Sequence, residues 1–197
     1  MPADRRQLRR QLFEIASQQG GYFTTAQAIS VGYSYQAQAH HAGAGNWVRS
    51  GRGLFRLGEW VPELHDELCR WTLWSKNRAV VSHETAMGVQ GIGEFESARV
   101  HLSVPRNFTM RDDAVVLHLV DLPNEDIAVH GGFSTTTVMR TLIDIAAGAE
   151  VDQLAHSIQE AQQAGAITIR QLRSRAEAVD LKAALQIERS MKLIESP

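Results

Sequence analysis

The side chains in this 197-residue chain best placed to do chemistry lie between Ser34 and Leu57. Arg49, Arg52 and Arg56 fall within eight residues of one another there, and Arg5, Arg6, Arg9 and Arg10 crowd the N-terminus. A guanidinium placed against a backbone phosphate releases condensed counterions, so a cluster of arginines points to salt-sensitive attachment to nucleic acid. Just upstream stand Ser34, Tyr35, Gln36, Gln38 and His40. A glutamine amide both donates to and accepts from adenine, which is how a base is read in the major groove. These eight residues (Ser34, Tyr35, Gln36, Gln38, His40, Arg49, Arg52 and Arg56) are the candidate DNA-binding set. Tyr35 to Ala44 contains no Arg or Lys, which is unusual for a reading helix; a polar surface helix is the alternative for that segment.

Catalytic constellations are hard to assemble. His83-Glu84 opens like a zinc-protease motif, but Met87 stands where its second histidine is required. Gly91-Ile92-Gly93 lacks the third glycine of a dinucleotide fingerprint, and no P-loop or Gly-x-Ser-x-Gly elbow is present. The eight histidines are scattered, with only His40 and His41 adjacent, and neighbours on a helix point in different directions. Asp112-Asp113 and Glu125-Asp126 are the raw material of a metal-dependent nuclease, or simply solvated loop acids. Cys69 is the only cysteine, which excludes an intrachain disulfide and a multi-cysteine zinc site. No catalytic residue, metal ligand or cofactor is assigned, and the expectation is a non-enzyme.

The elements that must position the arginines follow from pattern. Leu8, Leu12, Ile15 and Ala16 make one apolar stripe on a first helix, ended by Gly20-Gly21. Tyr22-Phe23 is a short extended piece, Thr24 or Thr25 caps a second helix to about Val31, and Ser34 caps a third. Trp47-Val48-Arg49 and Leu54 to Leu57 flank the turn Ser50-Gly51-Arg52-Gly53, a hairpin. Trp47 and Phe55 should pack on the first helix near Leu12 and Ile15. Helix, turn, helix and basic hairpin in that order predict a winged helix-turn-helix.

Beyond a connector at residues 58–62, Glu63 to Lys76 reads as a helix burying Leu64, Leu68, Trp71 and Leu73. Ser82 caps a helix through about Gln90; residues 99–104, 115–120 and 127–129 read as strands. Thr135 to Thr137 cap a helix, and three more follow near 151–164, 168–178 and 181–194. The fold class is α+β: a winged helix-turn-helix over residues 1–60, then a mixed α/β domain over 61–197 with a small sheet and C-terminal helices. Charge divides at the same place. Residues 1–60 carry seven arginines against three acids, a net +4, while the remainder carries 13 basic and 19 acidic residues, a net −6. A basic front on an acidic body is expected when one domain meets phosphate and the other does not. No long apolar run or signal-peptide core is present, so the expectation is a cytoplasmic protein without a membrane partner.

Several motifs are family-like. Gly45-Asn46-Trp47 followed by Arg52 to Leu57, Ser82-His83-Glu84-Thr85-Ala86, Val104-Pro105-Arg106 and Thr135 to Asp144 together resemble the AbiEi antitoxins, in family order over roughly residues 8 to 175. That resemblance implies a repressor that binds double-stranded DNA at the operator of its own operon, with a C-terminal domain needed for antitoxicity. It implies a functional pairing with a nucleotidyltransferase-like toxin of the type IV, abortive-infection kind, without a stable complex between the two. Arg106 and Arg140 are then candidates for an antitoxin surface; Arg140 is equally placed to pair with Asp144 one helical turn on. Two other readings stay open, a regulator whose second domain senses a small ligand and a DNA-tethered nuclease.

Overall fold

Asp4 starts the first helix by accepting a hydrogen bond from the Arg6 amide at 3.0 Å, and α1 (Arg5–Ser17) buries Leu12 and Ala16. The computed structural model describes residues 4–95 and 97–195. The chain forms two compact units, one of Met1–Ala79 with His130–Phe133, the other of Val80–Val129 with Ser134–Pro197. Mixed α/β structure runs through both.

In the first unit β1 (Tyr22–Thr24) leads into α2 (Thr25–Val31) through a capping box: the Gln27 amide donates to Thr24 Oγ1 at 3.1 Å, and the Thr24 amide donates to Gln27 Oε1 at 2.8 Å. Gly32, at φ +120°, turns the chain out of α2. Ser34 Oγ then accepts from the Ala37 amide at 3.2 Å and opens α3 (Tyr35–Gly43). The hairpin is β2 (Trp47–Gly51) and β3 (Leu54–Leu57), joined by Arg52-Gly53 with Gly53 at φ +68°. Arg49 pairs with Phe55 and Gly51 with Leu54, so Ser50 bulges from the ladder. The sheet order is β1-β3-β2, all antiparallel.

One face of this sheet makes the core. Phe23, Trp47, Phe55 and Leu57 pack with Leu12, Ala16, Ala28 and Tyr33, so Trp47 and Phe55 dock beside Leu12 as predicted, whereas Ile15 is not part of that cluster. Phe23 meets Trp47 edge-on at 4.8 Å and stacks on Phe55 at 5.8 Å between ring centroids. The other face is covered too. Tyr22 and Leu54 are buried there, and α4 (Asp66–Trp74) lies against β1 and β3. Arg70 on α4 donates through Nε to the carbonyl of the bulged Ser50 at 3.1 Å. The first unit therefore reaches beyond the 1–60 segment of the sequence reading.

The helix predicted from Glu63 starts late for a visible reason. Asp66 accepts from the Glu63 amide and from Trp60 Nε1, both at 2.8 Å, folding the connector back on itself. His65 takes the left-handed conformation at φ +72°, which excludes it and Leu64 from the helix. Leu64, predicted to be buried, is 85% exposed.

The second unit contains β4 (Val80–Val81), α5 (His83–Gln90), β5 (Val100–Val104), β6 (Val115–Leu119), a 3-10 turn (Asn124–Asp126), β7 (Ile127–Val129), β8 (Ser134–Thr136) and α6 (Val138–Ala146). It ends with α7 (Val151–Gln163), α8 (Ile169–Val179) and α9 (Leu181–Glu195). The sheet order is β6-β5-β4-β8-β7. Strands β5 and β6 run parallel, as do β4 and β8; the other two pairs are antiparallel. Leu142, Ile143, Leu154, Ile158, Leu172 and Ile187 form the helical core. The predicted strands and helices are all present, but β4 and β8 were not predicted. Thr135 and Thr136 are strand residues rather than caps; only Thr137 caps α6, its Oγ1 accepting from the Arg140 amide at 3.3 Å. A strand of two or three residues has too few positions for alternation to show.

Candidate nucleic-acid interface

Helix α3 divides its side chains cleanly. Tyr35 is 71% exposed, and Gln36, Ala39 and His40 are exposed beside it. The spacing i, i+1, i+4, i+5 puts these four on one side of the helix. Gln38 is on the other side. It is 3% exposed and its amide donates to the Tyr33 carbonyl at 3.2 Å, which corrects its placement among the base-reading candidates. A buried amide keeps its partner because losing it costs the full desolvation of the group. Ser34 is exposed, with its hydroxyl engaged as the helix cap.

His41 also turns inward, stacking on Trp47 at 4.8 Å and meeting the Tyr33 ring edge-on at 5.4 Å. Burial, then the neighbouring charges of His40 and Arg5, push its pKa down. Where an aliphatic would fill space, Ala37 and His41 border a groove of about 680 Å³ beside Leu8, Tyr33 and Trp47.

The three hairpin arginines do not share a face. Arg49 pairs with Phe55 in the ladder, stands on the helix-bearing side, and holds its guanidinium 5.1 Å from the Phe55 ring centre. Arg52 is at the tip, fully in the turn and exposed. Arg56 pairs with Val48 and Tyr22 on the opposite side. It is only half-exposed, with its guanidinium 5.8 Å from the Tyr22 ring centre. The helix arginines also differ. Arg9 reaches both carboxylate oxygens of Glu59, at 2.6 and 2.9 Å, and Arg10 reaches Glu14 at 3.0 Å. Arg5, Arg6, Arg49 and Arg52 have no acidic partner among the described residues. Arg56 likewise has no acidic partner there, so positive charge without an acidic partner sits on five arginines of this unit, four of them away from the α4 side of the sheet.

In the second unit Arg106 is exposed, its amide donating to Asp121 Oδ1 at 3.3 Å and its Nε 3.7 Å from Oδ2. Arg140 is not a surface residue. It is 6% exposed, with Nε donating to Asp144 and Nη1 to Asp126, each at 2.7 Å, which corrects its antitoxin-surface placement. Arg175 Nη2 lies 2.9 Å from both oxygens of Asp126 and 3.3 Å from Glu125. Burial, reinforced by the neighbouring Asp126, raises Asp144 to about 6 against the pull of Arg140. Three of the four acids considered for a nuclease thus have partners. Asp126 is locked between two arginines, and Asp112 accepts from the Ala114 amide at 3.0 Å.

What sequence spacing missed is a histidine cluster in this unit. His101 on β5 pairs with Val116 on β6, so His118, two residues further along, stands on the same side of the sheet. β4 lies on the other flank of β5, and His83 follows it at the start of α5. One ring nitrogen from each histidine lies within 4.8 Å of the other two. His118 Nε2 is 3.2 Å from His101 Nδ1, and the His83 and His118 rings stack at 3.4 Å between centroids. Glu84 Oε2 is 2.7 Å from the same His101 Nδ1. Burial, then the neighbouring imidazoles, depress His83 to about 3 and His118 to about 4. Burial also lowers His101, with Glu84 pulling the other way. At those values the His83 and His118 rings carry no charge at neutral pH. This is the only such group of three His, Cys, Asp or Glu side chains among the described residues.

The family model described as transcriptional regulator, AbiEi antitoxin, matches residues 10–58. The resemblance drawn from the motifs is thereby borne out over the stretch from α1 through the hairpin. No curated protein matches the sequence. Among solved structures, the crystal structure of the RV2827C protein from Mycobacterium tuberculosis is similar at 12% identity, with a TM-score of 0.61, covering 93% of this chain and 77% of that one. At that identity the likeness speaks to the fold alone.

Proposed function

We propose that the first unit is a winged helix-turn-helix and that the protein is a transcriptional repressor of its own operon and the antitoxin of a toxin-antitoxin pair. The observation that carries this is the pairing of an exposed Tyr35-Gln36-His40 face on α3 with a hairpin whose Arg49 and Arg52 lack acidic partners, inside the segment that matches the regulator family. A helix presenting amides and an aromatic ring fits the major groove, while the hairpin tip reaches the flanking phosphates. Arg56, turned to the α4 side of the sheet, supports the hairpin rather than DNA.

In this reading the regulator is cytoplasmic and has no catalytic step of its own. The pairing is with a nucleotidyltransferase-like toxin whose action is countered without a stable complex. The absence of any helix long and apolar enough to cross a membrane among the described residues is compatible with that role. The nuclease alternative loses support because Asp126 is spent on Arg140 and Arg175.

The test is fluorescence anisotropy of the full chain on duplex DNA from upstream of its own reading frame, against a scrambled duplex at matched salt. A preference for the upstream duplex that Gln36→Ala reduces by about 1–3 kcal/mol is the expected result. Equal affinity for both duplexes, unchanged in Gln36→Ala, removes the repressor reading. Co-expression of the chain with the adjacent reading frame, scored for growth, tests the antitoxin half.

A further inference from the structure

We propose that His83, His101 and His118, with Glu84, form a closed structural site for a late first-row divalent transition ion of the Zn2+ type. The geometry points there through a shortage of protons. His101 Nδ1 is approached at once by His118 Nε2 at 3.2 Å, which donates or accepts according to its tautomer, and by Glu84 Oε2 at 2.7 Å, which as a carboxylate only accepts. A single N–H on that nitrogen cannot point at both, and Glu84 Oε2 is buried without a well-aligned hydrogen bond among the described residues. A buried carboxylate oxygen without an aligned donor is costly. A cation among these atoms satisfies the three lone pairs together.

The donor set fits such an ion. Neutral imidazole nitrogens with one carboxylate suit zinc and its neighbours, whereas magnesium and calcium take oxygen. Zn–N distances near 2.0–2.1 Å in a tetrahedron separate ligand nitrogens by about 3.4 Å, close to the His101–His118 spacing. His83 has the orientation that a ligand needs: Ser82 Oγ holds its Nδ1 at 3.0 Å, leaving Nε2 as the free donor. Closing the site requires a turn of the His83 or His118 side chain that separates the stacked rings. Arg140 and Arg99 are the nearest cations acting on the cluster, and Arg140 is neutralised by Asp144 and Asp126.

Four protein ligands leave no position for water, so the ion clamps α5 to β5 and β6 and does not activate a nucleophile. The inference does not depend on the DNA-binding reading; it concerns residues of the second unit only.

The experiment titrates the full metal-free chain with Co2+ and then with Zn2+ alone. One equivalent of Co2+ should produce the intense visible bands of a four-coordinate site, and one equivalent of Zn2+ should bleach them. Glu84→Gln should weaken Zn2+ affinity by at least the roughly 10–100-fold that loss of a mere outer-shell partner costs; His118→Gln should abolish the bands, and His156→Ala should leave them unchanged. Should a histidine variant fail to fold, long-range 1H–15N spectra of the labelled wild-type chain decide without it. One equivalent of Zn2+ must then move the ring nitrogens of His83, His101 and His118 and not those of His40 or His41. Absence of visible bands at saturating Co2+, or shifts confined to other histidines, overturns the proposal.

Discussion

Replacing Arg52 with alanine should flatten the salt dependence of DNA binding, whereas replacing Arg9 should not. Both are exposed arginines of the same basic unit, and a count of charges treats them alike. The structure does not. Arg9 is held at 2.6 Å by Glu59, so a phosphate contact there requires breaking an ion pair, and Arg9→Ala removes a cation that Glu59 already compensates. Arg52 stands in the hairpin turn without an acidic partner among the described residues. If Arg5, Arg6, Arg49 and Arg52 each neutralise one phosphate, log K should fall against log salt with a slope of about −3.6 per protomer as an upper value. Between 50 and 200 mM salt that is a loss of about 150-fold. Arg52→Ala should reduce the slope to about −2.7 and the loss to about 40-fold, on cognate and scrambled duplexes alike. Fluorescence anisotropy over a salt series measures this directly, with slopes compared between variants rather than affinities at one condition. Equal flattening by Arg9→Ala and Arg52→Ala would show that the Glu59 pair does not decide which arginines face DNA. An unchanged slope in Arg52→Ala removes the hairpin tip from the interface.

Three predictions concern stability. Phe55→Ala should cost about 3–5 kcal/mol in denaturant unfolding, since it empties a site shared with Phe23 and Trp47; an unchanged midpoint means the hairpin is not docked on α1. Arg140→Ala should cost about 3–5 kcal/mol by leaving Asp144 buried without its cation, whereas Arg106→Ala, on an exposed pair, should cost under about 1 kcal/mol. Asp144 makes a pH-dependent contribution of known sign. Its folded pKa, about 6, lies above the unfolded value, so the native state binds the extra proton and the cost of the buried charge is fully present above about pH 6. That cost shrinks as pH falls toward the unfolded pKa. Relative to Asp144→Asn, the wild type should gain about 1 kcal/mol between pH 7 and pH 5. A gain in the opposite direction, or none, would mean that Arg140 outweighs burial.

Sequence by itself determined the local structure of the first unit, because each device there is local. Thr24 meets Gln27 three residues on, Ser34 meets Ala37, and Gly53 supplies the positive φ of a two-residue turn. It also located the basic stretch, since seven arginines in sixty residues need no fold to be counted. Which arginines remain available was decided only in three dimensions. Glu59 is 50 residues from Arg9, and the side of the hairpin that each side chain occupies depends on the pairing register. Gln38 had the residue type of a base reader; helix rotation against Tyr33 made it a core group. Arg140 kept the partner visible at i+4, Asp144, but its second partner, Asp126, lies on a different element. The histidines show the limit most plainly. His83, His101 and His118 are separated by 18 and 17 residues, and no local period links them. Only the order β6-β5-β4 and the parallel register of β5 with β6 bring three imidazoles to one side of a sheet, because strand pairing, unlike a helical turn, joins residues whose separation the sequence leaves free.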